Sequence, residues 1–326
     1  MDRGLAILRN GQAMRPQLAF KDFCSIFKSF AKKKRTTITL KKPLCFIPFM
    51  SYSRLCFATA GIPLSAKPGI ISGIERLKEL GLDGMEIEFV RGVRMSDELA
   101  HQVRATAKAL GKELTAHAPY YINLNSAGKE KQKASEERIL QTARKLHLCG
   151  GRSATFHAAY YMKASKEAAY AKVKDSLKRI TKILQDEGNK VEIRPELTGK
   201  PTQWGDIDEL IRLSQELEQV LPCIDFAHNH ARLKGKFNTY EEFSELFRKL
   251  EAGLGKEILS NMHMHLAGIN YSEKGERNHL NLQESDLNYK GLMKALKDFK
   301  IKGMLVSESP NIEGDSILAK KTYNEV

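Results

Sequence analysis

Residues 55–89 read LCFATAGIPLSAKPGIISGIERLKELGLDGMEIEF, and this stretch decides the fold. Leu55–Thr59 is a short run of apolar and β-favouring residues, the pattern of a buried strand. Ile70, Ile71, Ile74, Leu77 and Leu80 then recur at helical spacing, and Gly81 supplies the left-handed turn that closes a helix. Gly84–Glu88 is a second strand. Strand, helix and strand in that order imply two parallel strands joined by a right-handed crossover.

The same unit repeats toward the C-terminus. Ser96 is the expected N-cap of a helix whose stripe is Leu99, Val103 and Leu110, ended by Gly111. Leu114–His117 is strand three. A helix with Ile139, Leu140, Ala143 and Leu146 leads through Gly150-Gly151 to strand four, Ala154–His157. Strand five is Val191–Glu196, strand six Leu221–Asp225, strand seven Met262–Leu266 and strand eight Gly303–Ser307, each after an amphipathic helix. Eight such units in about 270 residues is the size of a (β/α)8 TIM barrel. An open doubly wound sheet would carry a glycine-rich phosphate loop after strand one, and Thr59-Ala60-Gly61-Ile62-Pro63 is not one. The expected organisation is a barrel over residues 53–326 behind a basic extension, residues 1–52.

The formal net charge is +14, but its distribution is uneven. Residues 1–52 hold eleven Lys or Arg against two Asp, so nine of those fourteen charges lie in the extension. Phe23, Ile26, Phe27 and Phe30 before Lys32-Lys33-Lys34-Arg35 would suit a basic amphipathic helix or a transit peptide. Basic tails are commonly solvated, and a poorly ordered segment is the expectation. No apolar run reaches membrane-spanning length. The five cysteines are scattered without a CxxC pair, which argues against a disulfide framework or a thiolate zinc site and for a reducing, cytoplasmic setting. The basic balance favours an anionic partner such as nucleic acid.

Chemistry concentrates at the strand ends. Strand three ends in His117, strand four in His157 and strand five in Glu196; strand six ends in Asp225, with His228 just beyond; strand seven carries His265, and strand eight runs into Glu308. The loop after strand seven adds Glu276 and His279. In a parallel barrel these ends share one mouth. Imidazole and carboxylate suit Zn2+, Mn2+ or Fe2+. A lone strand-end His is commonly a satisfied structural side chain, but six consecutive strands presenting such groups is a pattern. His101 and His147 fall on helices and read as structural, His230 as solvent-facing, and His263 as packing one layer below His265. Clustered divalent ions would neutralise a phosphodiester, activate water and hold the leaving oxygen.

His117-Ala118-Pro119-Tyr120-Tyr121-Ile122-Asn123-Leu124, Cys223-Ile224-Asp225-Phe226-Ala227-His228, Met264-His265-Leu266 and Glu308-Ser309-Pro310 resemble, in order and spacing, the signatures of the endonuclease IV family of apurinic/apyrimidinic (AP) endonucleases. The resemblance spans nearly all of residues 54–326. It implies a base-excision-repair hydrolase that incises double-stranded DNA 5′ to abasic sites, with Glu196 and Glu308 at the chemistry. It implies zinc, two or three ions per chain with Mn2+ conceivable at one site. His117 and His157 would hold the first ion and Glu196 would bridge to the second, which Asp225, His265 and Glu308 complete. His228 would hold the third with ligands from the loop after strand seven. Tyr120 and Tyr121 match residues that wedge into the duplex, and Arg91 or Arg94 a loop arginine that enters DNA. The chain departs from the family where Glu276 replaces an Asp and Asn278 a ligand His, leaving His279 to substitute, and also at Ala158-Ala159 and Leu197-Thr198-Gly199. A monomer without membrane or protein partner is expected. Two other readings remain: a single-metal sugar isomerase or epimerase using Glu196, Asp225, His265 and Glu308, and a DNA-binding barrel without catalysis.

Overall fold

The alternation becomes eight parallel strands, each followed by helix, in a computed structural model that describes residues 51–326. The extension expected over residues 1–52 lies outside the described residues except for its last two positions. In chain order the barrel elements are β1 (Leu55–Ala60), α1 (Ile70–Glu79), β2 (Gly84–Glu88), α2 (Asp97–Leu110), β3 (Glu113–His117), α3 (Lys129–Cys149), β4 (Ser153–Phe156), α4 (Lys166–Asp186), β5 (Glu192–Pro195), α5 (Ile207–Glu216), β6 (Cys223–Asp225), α6 (Phe226–Arg232), α7 (Tyr240–Leu254), β7 (Met262–Leu266), α8 (Tyr289–Asp298), β8 (Gly303–Ser307) and α9 (Glu313–Glu325). Hydrogen-bonded neighbours run β5-β4-β3-β2-β1-β8-β7-β6. The ring closes between β5 and β6 through the single parallel bridges Ile193–Val220 and Glu196–Cys223. It is a (β/α)8 TIM barrel, as the alternation implied.

The local signals act as expected. Ser96 Oγ accepts from the Leu99 amide, and Gly111 closes α2 in the left-handed conformation. Helix stripes such as Ile74/Leu77 and Val173/Leu177/Ile180/Leu184 are buried against the outward faces of the strands. Side chains alternate across a strand, so the other face of each fills the barrel. There only β1 and β8 supply a small apolar cluster, Cys56, Ala58, Met304 and Val306, closed from below by Tyr52. Most other inward positions are polar and buried, among them Glu86, Thr115, Ser153, Thr155, Glu192, Arg194 and His263. At the floor, Arg194 pairs with Glu192 and donates to the carbonyls of Pro222 (3.0 Å) and Asn261 (2.7 Å), while Asn261 Nδ2 donates to Glu192 (2.6 Å).

Three elements at the mouth were not expected: α6, the short antiparallel pair Ala159–Tyr160 with Gln203–Trp204, and the hairpin Gly268–Ser272 with Gly275–Leu280. The last one carries Glu276 and His279. Among the described residues no helix is long and apolar enough to cross a membrane, and Cys56, Cys149 and Cys223 are free and buried.

Candidate metal centre

His117, Asp225 and His265 sit within the last two positions of their strands, and His157, Glu196 and Glu308 one residue beyond theirs. All six converge. Glu196 is at the centre: its Oε2 lies 3.3 Å from His117 Nε2 and 3.2 Å from His157 Nε2. Its Oε1 lies 2.9 Å from His228 Nδ1 and 3.4 Å from His265 Nδ1. His265 Nδ1 is also 3.4 Å from Glu308 Oε1 and 3.9 Å from Asp225 Oδ2. Two ligands held about 2.1 Å from one ion at 90–110° are roughly 3.0–3.4 Å apart, so these spacings suit donors sharing ions. Three groups of donor atoms result at the mouth: His117/His157/Glu196, then Glu196/Asp225/His265/Glu308, then Asp225/His228/His279, with Glu196 and Asp225 each in two of them; a fourth group, Cys223/His263/His265, shares His265 and reaches one layer deeper.

The donors fit divalent cations on their own evidence. Glu196 Oε1, Asp225 Oδ2 and His265 Nδ1 are buried and lack a hydrogen bond despite their short mutual distances. Unpaired buried polar atoms are costly, and several around one void mark a place for a ligand. His228 Nε2 and His279 Nε2 face each other at 3.3 Å, an arrangement that a shared cation or proton must reconcile.

The electrostatics agree. Burial works against charge on Glu196, yet His157, His265 and His117 hold its carboxyl well below the usual range. Burial lifts Asp225 to about 6 and Glu88 to about 8. Burial opposes the charged form of His117, but the Glu196 and Glu88 carboxylates push it up to about 10. Asp225 and Glu196 likewise raise His228. A pocket whose carboxylates hold imidazoles protonated is short of positive charge, the condition that divalent ions relieve.

The hairpin completes the third group. His279 turns inward, its Nδ1 3.1 Å from the Glu308 carbonyl, while Asn278 is exposed and bonded within the hairpin. Glu276 Oε2 is 3.7 Å from His228 Nε2, at the edge of the group. Its backbone is set by two close approaches. Glu276 N donates to Gly199 O at 3.0 Å, and Gly275, at φ +90°, passes so near that a Cβ would meet Gly199 O at 2.4 Å. Leu197-Thr198-Gly199 is thus the seat of the hairpin.

Tyr120 and Tyr121 stand at the rim, 60% and 71% exposed. Their turn is pinned from behind: Leu124 N donates to Ala158 O, and Asn125 Nδ2 to the carbonyls of Tyr160 (2.8 Å) and Tyr161 (3.0 Å). Arg91 and Arg94 are exposed on the loop after β2. One assignment is corrected. His230 does not face solvent; α6 tucks under the hairpin and buries the ring between the Phe237 carbonyl and Asp286, 3.1 Å from each. His101 and His147 are exposed on α2 and α3.

Two groups escaped the sequence. Glu86 and Glu88 lie on the inner face of β2, Glu86 one layer under the donors and Glu88 level with its register partner His117, although Gly84-Met85-Glu86-Ile87-Glu88 shows two acids alternating with apolar residues in a strand otherwise built for burial. That alternation was the available signal, because buried acids are rare without partners. His263, expected as packing, has polar partners: its Nδ1 is hydrogen-bonded with Ser153 Oγ at 3.0 Å, and its Nε2 lies 2.8 Å from Glu86 Oε2, outside hydrogen-bond geometry.

A parallel barrel with a multi-donor mouth defines a class, and comparison with known proteins agrees. The chain belongs to the xylose isomerase-like TIM barrel family, whose model matches residues 74–323. It is 45% identical over 274 residues to an uncharacterized protein of Methanocaldococcus jannaschii, covering 83% of this chain and 98% of that one. It is 24% identical over 156 residues to a probable endonuclease 4 of Clostridium botulinum, covering 47% of this chain and 54% of that one. Among solved structures, endonuclease IV from Thermus thermophilus superposes with a TM-score of 0.64 at 20% identity, over 84% of this chain and 100% of that one. A D-tagatose 3-epimerase-like protein superposes with a TM-score of 0.62 at 18% identity, over 83% and 96%. At such identities the superpositions speak for the fold alone.

Proposed function

We propose that the protein is a metal-dependent phosphodiester hydrolase acting on double-stranded DNA at abasic sites. One observation carries this reading: the donors outnumber what one ion needs. Glu196, Asp225, His265 and Glu308 suffice for a single metal, yet His117, His157, His228 and His279 aim at the same space. Ions held there, two or three with zinc best matched to the imidazole-rich set, would supply neutralisation of the phosphate and an activated water. The chain's own residues do the rest. Glu196 and Asp225, each common to two donor groups, fix their spacing. Tyr120 and Tyr121 present flat apolar faces on a braced turn, where they can stack beside a displaced nucleotide. Arg91 and Arg94 are free to meet the backbone.

The four-donor group Glu196/Asp225/His265/Glu308 favours a second reading, a single-metal sugar epimerase. One experiment separates them. Metals per chain are measured on purified protein, which is then offered a duplex with one abasic site. At least two ions and cleavage 5′ to the lesion, lost in Glu196→Ala, support the hydrolase. One ion, an intact duplex and exchange at a ketose carbon support the epimerase. Salt-sensitive duplex binding without cleavage in Zn2+ or Mn2+ would leave only a DNA-binding barrel.

A further inference from the structure

Glu86 stands beneath the donor groups and belongs to none of them. It occupies the central inward position of β2, fully buried, where barrels of this kind usually carry a branched aliphatic residue. Three side chains hold it. Thr115 Oγ1 donates to Oε2 at 2.8 Å, His263 Nε2 lies 2.8 Å from the same oxygen, and Oε1 lies 2.9 Å from His265 Nε2. Ser153 Oγ, 3.0 Å from His263 Nδ1, secures that ring in turn.

We propose that Glu86 is a positioning residue: it fixes the proton of His265 on Nε2 and so leaves Nδ1 as the lone pair offered to the metal centre. A neutral imidazole has one donor and one acceptor nitrogen, and the partner of one nitrogen decides the role of the other. His265 Nδ1 faces Glu196 and Glu308 at 3.4 Å and Asp225 at 3.9 Å. With the proton on that side the ring could not be a ligand. The Glu86 carboxylate on the opposite side draws the proton away. Its 2.9 Å approach is bent from hydrogen-bond geometry, so the draw is one of charge and proximity. His263 and Thr115 occupy Oε2, which leaves Oε1 for His265. Carboxylates behind metal-bound histidines tune affinity in this way.

The inference rests on His265 being a metal ligand and is indifferent to the substrate. Its test therefore begins without metal. Without metal, burial opposes charge on His265 but the surrounding acids hold its ring protonated. Nitrogen-15 NMR of the histidine side chains in metal-free protein is therefore taken at a pH high enough to make the ring neutral, where it reads the tautomer: Nε2-protonated in the wild type, and shifted toward the Nδ1-protonated form in Glu86→Gln, whose amide can donate to Nε2. Chelator competition with Zn2+ then reads affinity, with one class of site weakened 10- to 100-fold and the others unchanged. If Glu86→Gln folds poorly, Thr115→Val keeps the carboxylate but loosens its hold, and a smaller change in the same direction is expected. An unchanged tautomer with unchanged affinity overturns the proposal. A wild-type chain that binds no ion would sink the metal-centre reading, while the tautomer would still decide the role of Glu86.

Discussion

Gly199→Ala is expected to damage the third donor group while leaving the barrel intact. Gly199 has a backbone conformation open to alanine, so the cost comes from the new Cβ alone. That atom would sit 2.7 Å from both Cβ and Oε2 of Glu276 and 3.0 Å from His228 Cδ2. Carbon atoms prefer about 3.5–4.0 Å, so Glu276 must move by several tenths of an ångström or more, and its Cβ cannot yield without the hairpin backbone. Overpacking of this kind costs about 1–3 kcal/mol. Loss of glycine's freedom in the unfolded chain returns about 0.4–1 kcal/mol, which leaves global stability within about 2.6 kcal/mol of wild type. The strain is relieved by swinging Glu276 away, so any ligand needing Glu276 and His228 in place bears the cost. At 1.4 kcal/mol per tenfold, that ligand is held roughly 5- to 150-fold more weakly. The assay is elemental analysis after dialysis against dilute metal, beside abasic-duplex cleavage and thermal unfolding. Gly128→Ala, with only Lys131 Cγ within 4 Å, is the control. A Gly199→Ala protein with wild-type metal content and rate would refute the role given to the Gly199–Gly275 seat.

Arg194→Met should cost about 3–5 kcal/mol, because it strands the Glu192 carboxylate and two carbonyls at the barrel floor; a urea-midpoint change worth less than about 1 kcal/mol would contradict that. Glu313 tethers α9 by accepting from the amides of Leu64 (2.8 Å) and Ser65 (2.9 Å), and although burial works the other way, its own backbone amide and those two lower its pKa below the ordinary 4.5. A depressed carboxyl contributes stability above its unfolded pKa and loses it as pH falls through the folded one, so the advantage of wild type over Glu313→Gln should be full at about pH 6 and shrink below about 4.5; an advantage independent of pH would exclude this tether. Tyr121→Ala should leave metal content and cleavage of a small aryl phosphodiester unchanged while weakening duplex binding by about 1–3 kcal/mol, the worth of a stacked base; equal duplex affinity would remove the wedge.

The barrel was legible because each repeat announces itself locally. Gly84–Glu88, Met262–Leu266 and Gly303–Ser307 have the expected bounds, since each run begins at glycine or directly after a polar residue. The inward convergence of His117, His157, Glu196, Asp225, His265 and Glu308 followed from strand-end position alone. What failed to show depends on contacts distant in sequence. The hairpin Gly268–Leu280 is largely polar and only partly buried, without the two-residue turn signal that marks tight hairpins. His230 looked solvated in a polar stretch, and its burial comes from Phe237 and Asp286 closing over α6. Glu86 lies mid-strand, where attention to strand ends overlooks it, and its role needs His265, far along the chain, to be seen.

The thinnest seam of the barrel, between β5 and β6, is the one the donors straddle. Glu196 projects from one lip and Asp225 from the other. A cation gripped by both would rivet the cylinder shut where the backbone holds it least. Occupancy of the mouth would then be felt as hoop strength, with amide exchange at Ile193, Leu197 and Leu221 slowing as ions are added, because a ligand bound only by the closed form stabilises it in proportion to its free concentration.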